Sequence, residues 1–80
     1  MTTVDVRDYA QQRRIEIGKQ VRQVRRSKGW TQEQVAEYLG CSRRRVNRAE
    51  KGLADLHLFE IELLTQEFNV PLTNFVNQPA

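Results

Sequence analysis

Eighty residues with 13 Lys and Arg, 10 Asp and Glu and a net charge of +3 make one domain and leave no room for a second. A single cysteine, Cys41, excludes a disulfide within the chain, and with one histidine, His57, there is no zinc ligand set. No apolar run reaches membrane-spanning length and the opening Met1-Thr2-Thr3-Val4-Asp5 lacks the plan of a secretory signal, so a cytoplasmic protein without a membrane partner is expected.

The predicted elements are all helical. The first carries Ile17, Val21 and Val24 at spacings of four and three, one face of a helix. Tyr9, Ala10 and Arg13-Arg14 extend it backward towards an N-cap at Asp5, against the weakening effect of Gly18. It stops at Ser27-Lys28-Gly29, with basic residues in its last turn. Residues 1–12 are expected to be an N-terminal extension, helical if the first helix runs back through it, residues 13–76 the domain itself and residues 77–80 a frayed tail.

The second helix opens on Thr31 with Gln34 three residues on, the capping-box spacing, buries Val35, Ala36 and Leu39, and ends at Gly40. Ser42 caps the third, Arg43 to Glu50, in which only Val46 and Ala49 are apolar. Such a helix can lean on its neighbours by one narrow stripe only and must present the rest outward. The fourth starts near Asp55 or His57 with Leu58, Ile61, Leu64 and Phe68 as its inward stripe and Leu63 beside it, and Asn69 as a left-handed C-cap. Pro71 opens a short fifth helix with Leu72, Phe75 and Val76.

Charge is unevenly spread. Residues 1–53 hold all 13 basic side chains against 6 acidic ones, a balance of +7, whereas residues 54–80 hold Asp55, Glu60, Glu62 and Glu67 and no Lys or Arg. A polyanion is drawn to the first part and repelled by the last. A helix, a tight turn through Gly40 and a second helix too polar for a core is the plan of a helix-turn-helix, whose second helix enters the major groove of DNA. Arginine pairs its planar fork with guanine, and asparagine can do the same for adenine. Arg43 with Asn47 and Arg44 with Arg48 are adjacent i,i+4 pairs on the side away from Val46 and Ala49 and are predicted at or near base edges. Arg45 and Lys51, off this strip, are predicted at phosphates.

From Ile17 to Phe75 the chain resembles the lambda-repressor-like, Cro/C1-type (XRE) helix-turn-helix regulators. The resemblance rests on Ile17-Gly18-Lys19-Gln20-Val21-Arg22-Gln23-Val24-Arg25, Thr31-Gln32-Glu33-Gln34-Val35-Ala36, Asn47-Arg48-Ala49-Glu50-Lys51-Gly52 and Phe68-Asn69-Val70-Pro71-Leu72-Thr73-Asn74-Phe75. It implies an all-α, five-helix fold. It implies that Gln32 contacts a phosphate, that Arg43, Arg44 and Arg48 read bases, that Arg25 and Glu50 form a buried ion pair, and that Leu72 and Phe75 lie at a dimer contact. Ala49 departs from the family, which usually has a large apolar residue there. A third helix lying closer to the core, or held more loosely, follows from that.

Trp30 is expected to plug the core, Tyr38 to line the core edge or touch a phosphate, and Cys41 and His57 to be plain turn and surface residues. No phosphate-cradling glycine loop and no acid–base pair is present, so neither an enzyme nor a cofactor is expected. The expected partner is double-stranded DNA, bound by a homodimeric regulator, most simply a repressor on a palindromic operator. The alternative is a protein-interaction module, such as an antitoxin or adaptor, with a protein partner held at Leu72, Phe75 and Val76. Binding of single-stranded RNA finds little support, because base-stacking aromatics are not expected at the surface.

Overall fold

Four α-helices and one 3-10 turn make up the computed structural model, which describes residues 5–75. They are α1 (Val6–Ser27), α2 (Gln32–Leu39), α3 (Arg43–Glu50), α4 (Leu58–Phe68) and the turn Leu72–Asn74. Val76 and the tail from 77 to 80 fall outside the described residues, as do residues 1–4. The expected fifth helix is, within the described residues, that single 3-10 turn. Its bonds run from the Asn74 amide to the Pro71 carbonyl (3.0 Å) and from the Phe75 amide to the Leu72 carbonyl (2.9 Å).

The start and stop signals act locally. The Asp5 carboxylate accepts from the Arg7 amide at 2.9 Å and opens α1. Thr31 and Gln34 exchange bonds, Gln34 N to Thr31 Oγ1 at 3.1 Å and Thr31 N to Gln34 Oε1 at 2.8 Å. Asn69 ends α4 with φ 53°. Residues 6–12, expected as an extension, are the first turns of α1, which runs unbroken through Gly18.

The core is built by Val21 and Val24 of α1, Val35 and Ala36 of α2, Val46 of α3, Ile61, Leu64 and Phe68 of α4, and Phe75. Full burial of side chains such as Val35, Val46 and Leu64 is worth about 1.5–3 kcal/mol each. Trp30 is half-buried and meets Phe68 edge-on at 4.9 Å and Tyr38 at 6.0 Å between ring centroids. The Tyr38 hydroxyl donates to the Leu63 carbonyl at 3.2 Å, which ties α2 to α4. Leu58, expected in the inward stripe of α4, is exposed instead. It is the first residue of the helix, and the inward position of that turn belongs to Glu60, 3 % exposed.

Two glycines decide how α3 sits on α1. A Cβ at Gly18 would lie 2.3 Å from the Ala49 carbonyl oxygen and 2.8 Å from that of Glu50. A Cβ at Gly52, where φ is +75°, would lie 2.9 Å from the Cα of Ile15. Ala49 itself is buried. The close approach is made by its carbonyl and that of Glu50: the end of α3 rests on the backbone of α1. Gly18→Ala is therefore expected to destabilise the domain by about 1–3 kcal/mol, although alanine is the better helix former. Urea denaturation checks this, and an unchanged midpoint would contradict the close seat.

Candidate nucleic-acid interface

The outward side of α3 follows from its cap and its narrow apolar stripe. Ser42 Oγ accepts from the Arg45 amide at 3.1 Å, and Val46 and Ala49 turn inward. A left-handed Gly40 and the bond from the Cys41 amide to the Ala36 carbonyl (2.9 Å) bring α2 to α3 in three residues. Arg43, Arg44 and Arg48 are consequently exposed. Among the described residues Arg43 and Arg44 have no side-chain hydrogen bond or ion pair within the chain, and Arg48 reaches the Leu53 carbonyl at 3.3 Å. Lys51, one residue past the helix, is also exposed.

Behind this strip lies a network of polar groups. Arg25 donates to Glu50 from Nε (2.6 Å) and Nη2 (3.0 Å), and its Nη1 donates to the Trp30 carbonyl at 2.8 Å. Both residues are 8 % exposed. A bidentate guanidinium–carboxylate pair with its remaining nitrogen satisfied is the form in which a buried charge pair is tolerated. Gln32 Nε2 donates to Glu50 Oε1 at 3.1 Å, and Asn47 Nδ2 donates to Gln32 Oε1 at 3.2 Å. The side chain of Gln32 is thus occupied by the chain itself, while the first-turn amides of α2 lack intrahelical partners, as at any helix start. Asn47 is half-buried, with Oδ1 and one amide hydrogen left over.

Arg45 turns away from the strip. Its Nη1 pairs with Glu60 Oε2, and its Nη2 donates to the Asp55 carbonyl at 3.0 Å. The phosphate role expected of it conflicts with this placement. The reason is that the inward face of α4 carries Glu60, whose other oxygen accepts from the His57 amide at 2.8 Å. Burial opposes ionisation of Glu60, but the hydrogen bonds from Arg45 and the His57 amide outweigh it and hold the carboxyl below its ordinary range. The hydrogen bond to Glu60 likewise raises Arg45 against a smaller desolvation effect. A depressed carboxylate contributes stability above its unfolded pKa, about 4.3 for glutamate, and that contribution is lost as pH falls through the folded value. Between neutrality and about pH 3 the parent chain is expected to lose more stability than Glu60→Gln. Parallel thermal melts across that range check this, and equal losses would contradict it.

Sequence reasoning missed Glu60 as the partner of Arg45. The only signal was an acid three residues after a helix-start candidate, His57. It also placed Phe75 at a surface, yet Phe75 is 2 % exposed and belongs to the core, whereas Leu72 is exposed. Leu53, Leu58 and Phe59 are exposed as well, and Phe59 stacks on His57 at 5.5 Å. With Tyr9 and Phe59 at the surface, the expectation of no exposed aromatic side chains fails. Among the described residues no helix is long and apolar enough to cross a membrane, and no cluster of metal-ligating side chains is present.

Two short helices at a tight turn, the second resting on a buried ion pair and exposing arginines, define a helix-turn-helix domain of the kind found in DNA-binding regulators. A helix-turn-helix family model matches residues 21–75, and the chain belongs to that family. It resembles the Cro/C1-type (XRE) regulators. Among solved structures it is similar to the restriction-modification controller protein C.AhdI from Aeromonas hydrophila, with TM-score 0.69 and 25 % identity over 79 % of this chain and 96 % of that one. It is also similar to the hypothetical transcription factor NHTF from Neisseria, with TM-score 0.72 and 25 % identity over 99 % of this chain and 86 % of that one. Comparison with curated proteins gives no match.

Proposed function

We propose that this chain is a sequence-specific transcriptional regulator, a repressor that binds a palindromic operator as a homodimer. The observation that carries the reading is the pair Arg43 and Arg44, exposed at the start of α3 and unengaged within the chain among the described residues. Arg43, Arg44 and Arg48 face base edges in the major groove, and Asn47 joins them in the orientation set by Gln32. The amide end of α2 at Gln32 and the ammonium of Lys51 take phosphates. Arg45 is left out of the DNA contacts, because its guanidinium serves Glu60 and Asp55.

The dimer surface in this reading uses Leu72, with Phe75 holding its turn from beneath. Exposed Leu58 and Phe59 at the start of α4, the helix that contacts this turn, supply further apolar area. The acidic, arginine-free end of the chain then faces a partner subunit and not DNA. The likeness to a restriction-modification controller protein and to a hypothetical transcription factor supports the regulatory part of this reading.

A fluorescence-anisotropy titration of a labelled duplex across salt concentrations tests it. The reading expects log affinity to fall linearly with log salt, steeply enough for several phosphate contacts. Binding that barely changes with salt would sink it.

A further inference from the structure

The basic surface does not stop at α3. Lys19, Arg22 and Arg26 recur along α1 at spacings of three and four, which puts them on one face, and all three are exposed. Among the described residues none of them has an ion pair: Glu16, the acid nearest Lys19 and Arg22 in sequence, is taken by Arg13, and Glu33, the acid nearest Arg26, does not pair with it. Like charges so placed repel one another, and no ion pair among the described residues offsets them.

Between this face and α3 lies a cleft of about 150 Å³ whose walls include Arg22, Arg26, Gln32 and Lys51. Its one carboxylate, Glu50, is already matched by Arg25, so the uncompensated charge of the cleft is positive. A wider hollow of about 480 Å³ shares Arg26 and Gln32 with it and runs past Trp30 to Arg43; its one carboxylate is Glu33, set against Arg26 and Arg43. A path on which basic side chains outnumber acidic ones therefore joins the face of α1 to the start of α3. From Lys19 to Arg26 it covers about 10 Å of helix. One small anion cannot span that length, whereas the repeating charges of a polyanion can.

We infer that Arg22 and Arg26, with Lys51, form a second phosphate track, along which one strand of the duplex crosses the cleft while α3 lies in the groove. The inference rests on the proposed function and extends it to residues outside the helix-turn-helix. The track reads no bases: it adds affinity and salt dependence equally on all sequences. It also fixes the direction in which the duplex leaves α3, because the phosphates at the cleft and the bases at Arg44 belong to one rigid object.

The test is the double variant Arg22→Gln/Arg26→Gln against the parent and against Arg7→Gln. Glutamine keeps helix propensity, both sites are exposed, and Arg7 lies about 22 Å further back along α1. Affinity for an operator duplex and an unrelated duplex is measured over a range of salt. The track predicts that the double variant flattens the log–log slope by about 1.8, weakens both duplexes by the same factor and leaves their ratio unchanged, while Arg7→Gln keeps the parent slope. If the parent binds and the double variant keeps its slope, or Arg7→Gln flattens it equally per charge, the track is overturned and the proposed function stands. If the parent shows no salt-dependent binding to duplex DNA, both fall together.

Discussion

Replacing Glu50 by alanine is expected to cost the domain about 3–5 kcal/mol, a large part of the roughly 5–15 kcal/mol that holds a small domain together. The size follows from what remains behind. Arg25 is 8 % exposed and gives two of its three donor nitrogens to Glu50, so the variant buries a cation with a single carbonyl partner, that of Trp30. Removing one partner of a buried pair is far costlier than removing both. Joint replacement of Arg25 and Glu50 by methionine is accordingly expected to recover most of the loss. Urea denaturation of the two variants checks the pair, and a cost below about 1 kcal/mol for Glu50→Ala would show that water reaches Arg25. The effect reaches the interface too: Gln32 bonds to Glu50 and Asn47 bonds to Gln32, so the orientation of Asn47 is set from beneath by the same carboxylate.

Arg44→Ala is expected to behave in the opposite manner. The side chain is exposed and makes no hydrogen bond within the described chain, so fold stability should stay within about 0.5 kcal/mol of the parent. Binding to the operator should weaken by about 1–3 kcal/mol, with discrimination relaxed at one base position. A uniform loss over all duplexes would mark Arg44 as a phosphate contact. Arg45→Ala is the informative contrast. It removes the partner of Glu60 and is expected to lower stability by about 1–3 kcal/mol, leaving the operator-to-random affinity ratio near that of the parent. Anisotropy titrations on operator and scrambled duplexes, beside urea melts, separate the two residues. The two arginines are neighbours with the same chemistry, and a single helical step of about 100° places one in solvent and the other against α4.

That step shows what was legible in the sequence and what was not. The caps were legible because each is a local contract between residues two or three apart: Asp5 with Arg7, Thr31 with Gln34, Ser42 with Arg45. The polarity of α3 was legible because two apolar residues in eight leave no other way to seat a helix. The fate of Arg45 was not, because it depends on Glu60, fifteen residues on, and on the turn that aims α4 at it. Phe75 was misplaced for a related reason: a short apolar segment after a proline carries no periodicity to say which side of a single 3-10 turn meets the core. Gly18, read as a weakness in α1, is where the Ala49 carbonyl lands. The close approach of two backbones leaves no mark in either helix pattern taken alone.

The central claim is that the exposed strip of α3 reads a specific duplex sequence as part of a dimer. Selection of bound duplexes from a random pool tests it most directly, run with the parent and with Arg43→Ala/Arg44→Ala. The parent is expected to enrich an inverted repeat whose half-sites are centred about 10–10.5 base pairs, or 34–36 Å, apart, and the double variant to lose that motif. Recovery of the same motif by both proteins, or of no shared sequence by the parent, would contradict the account.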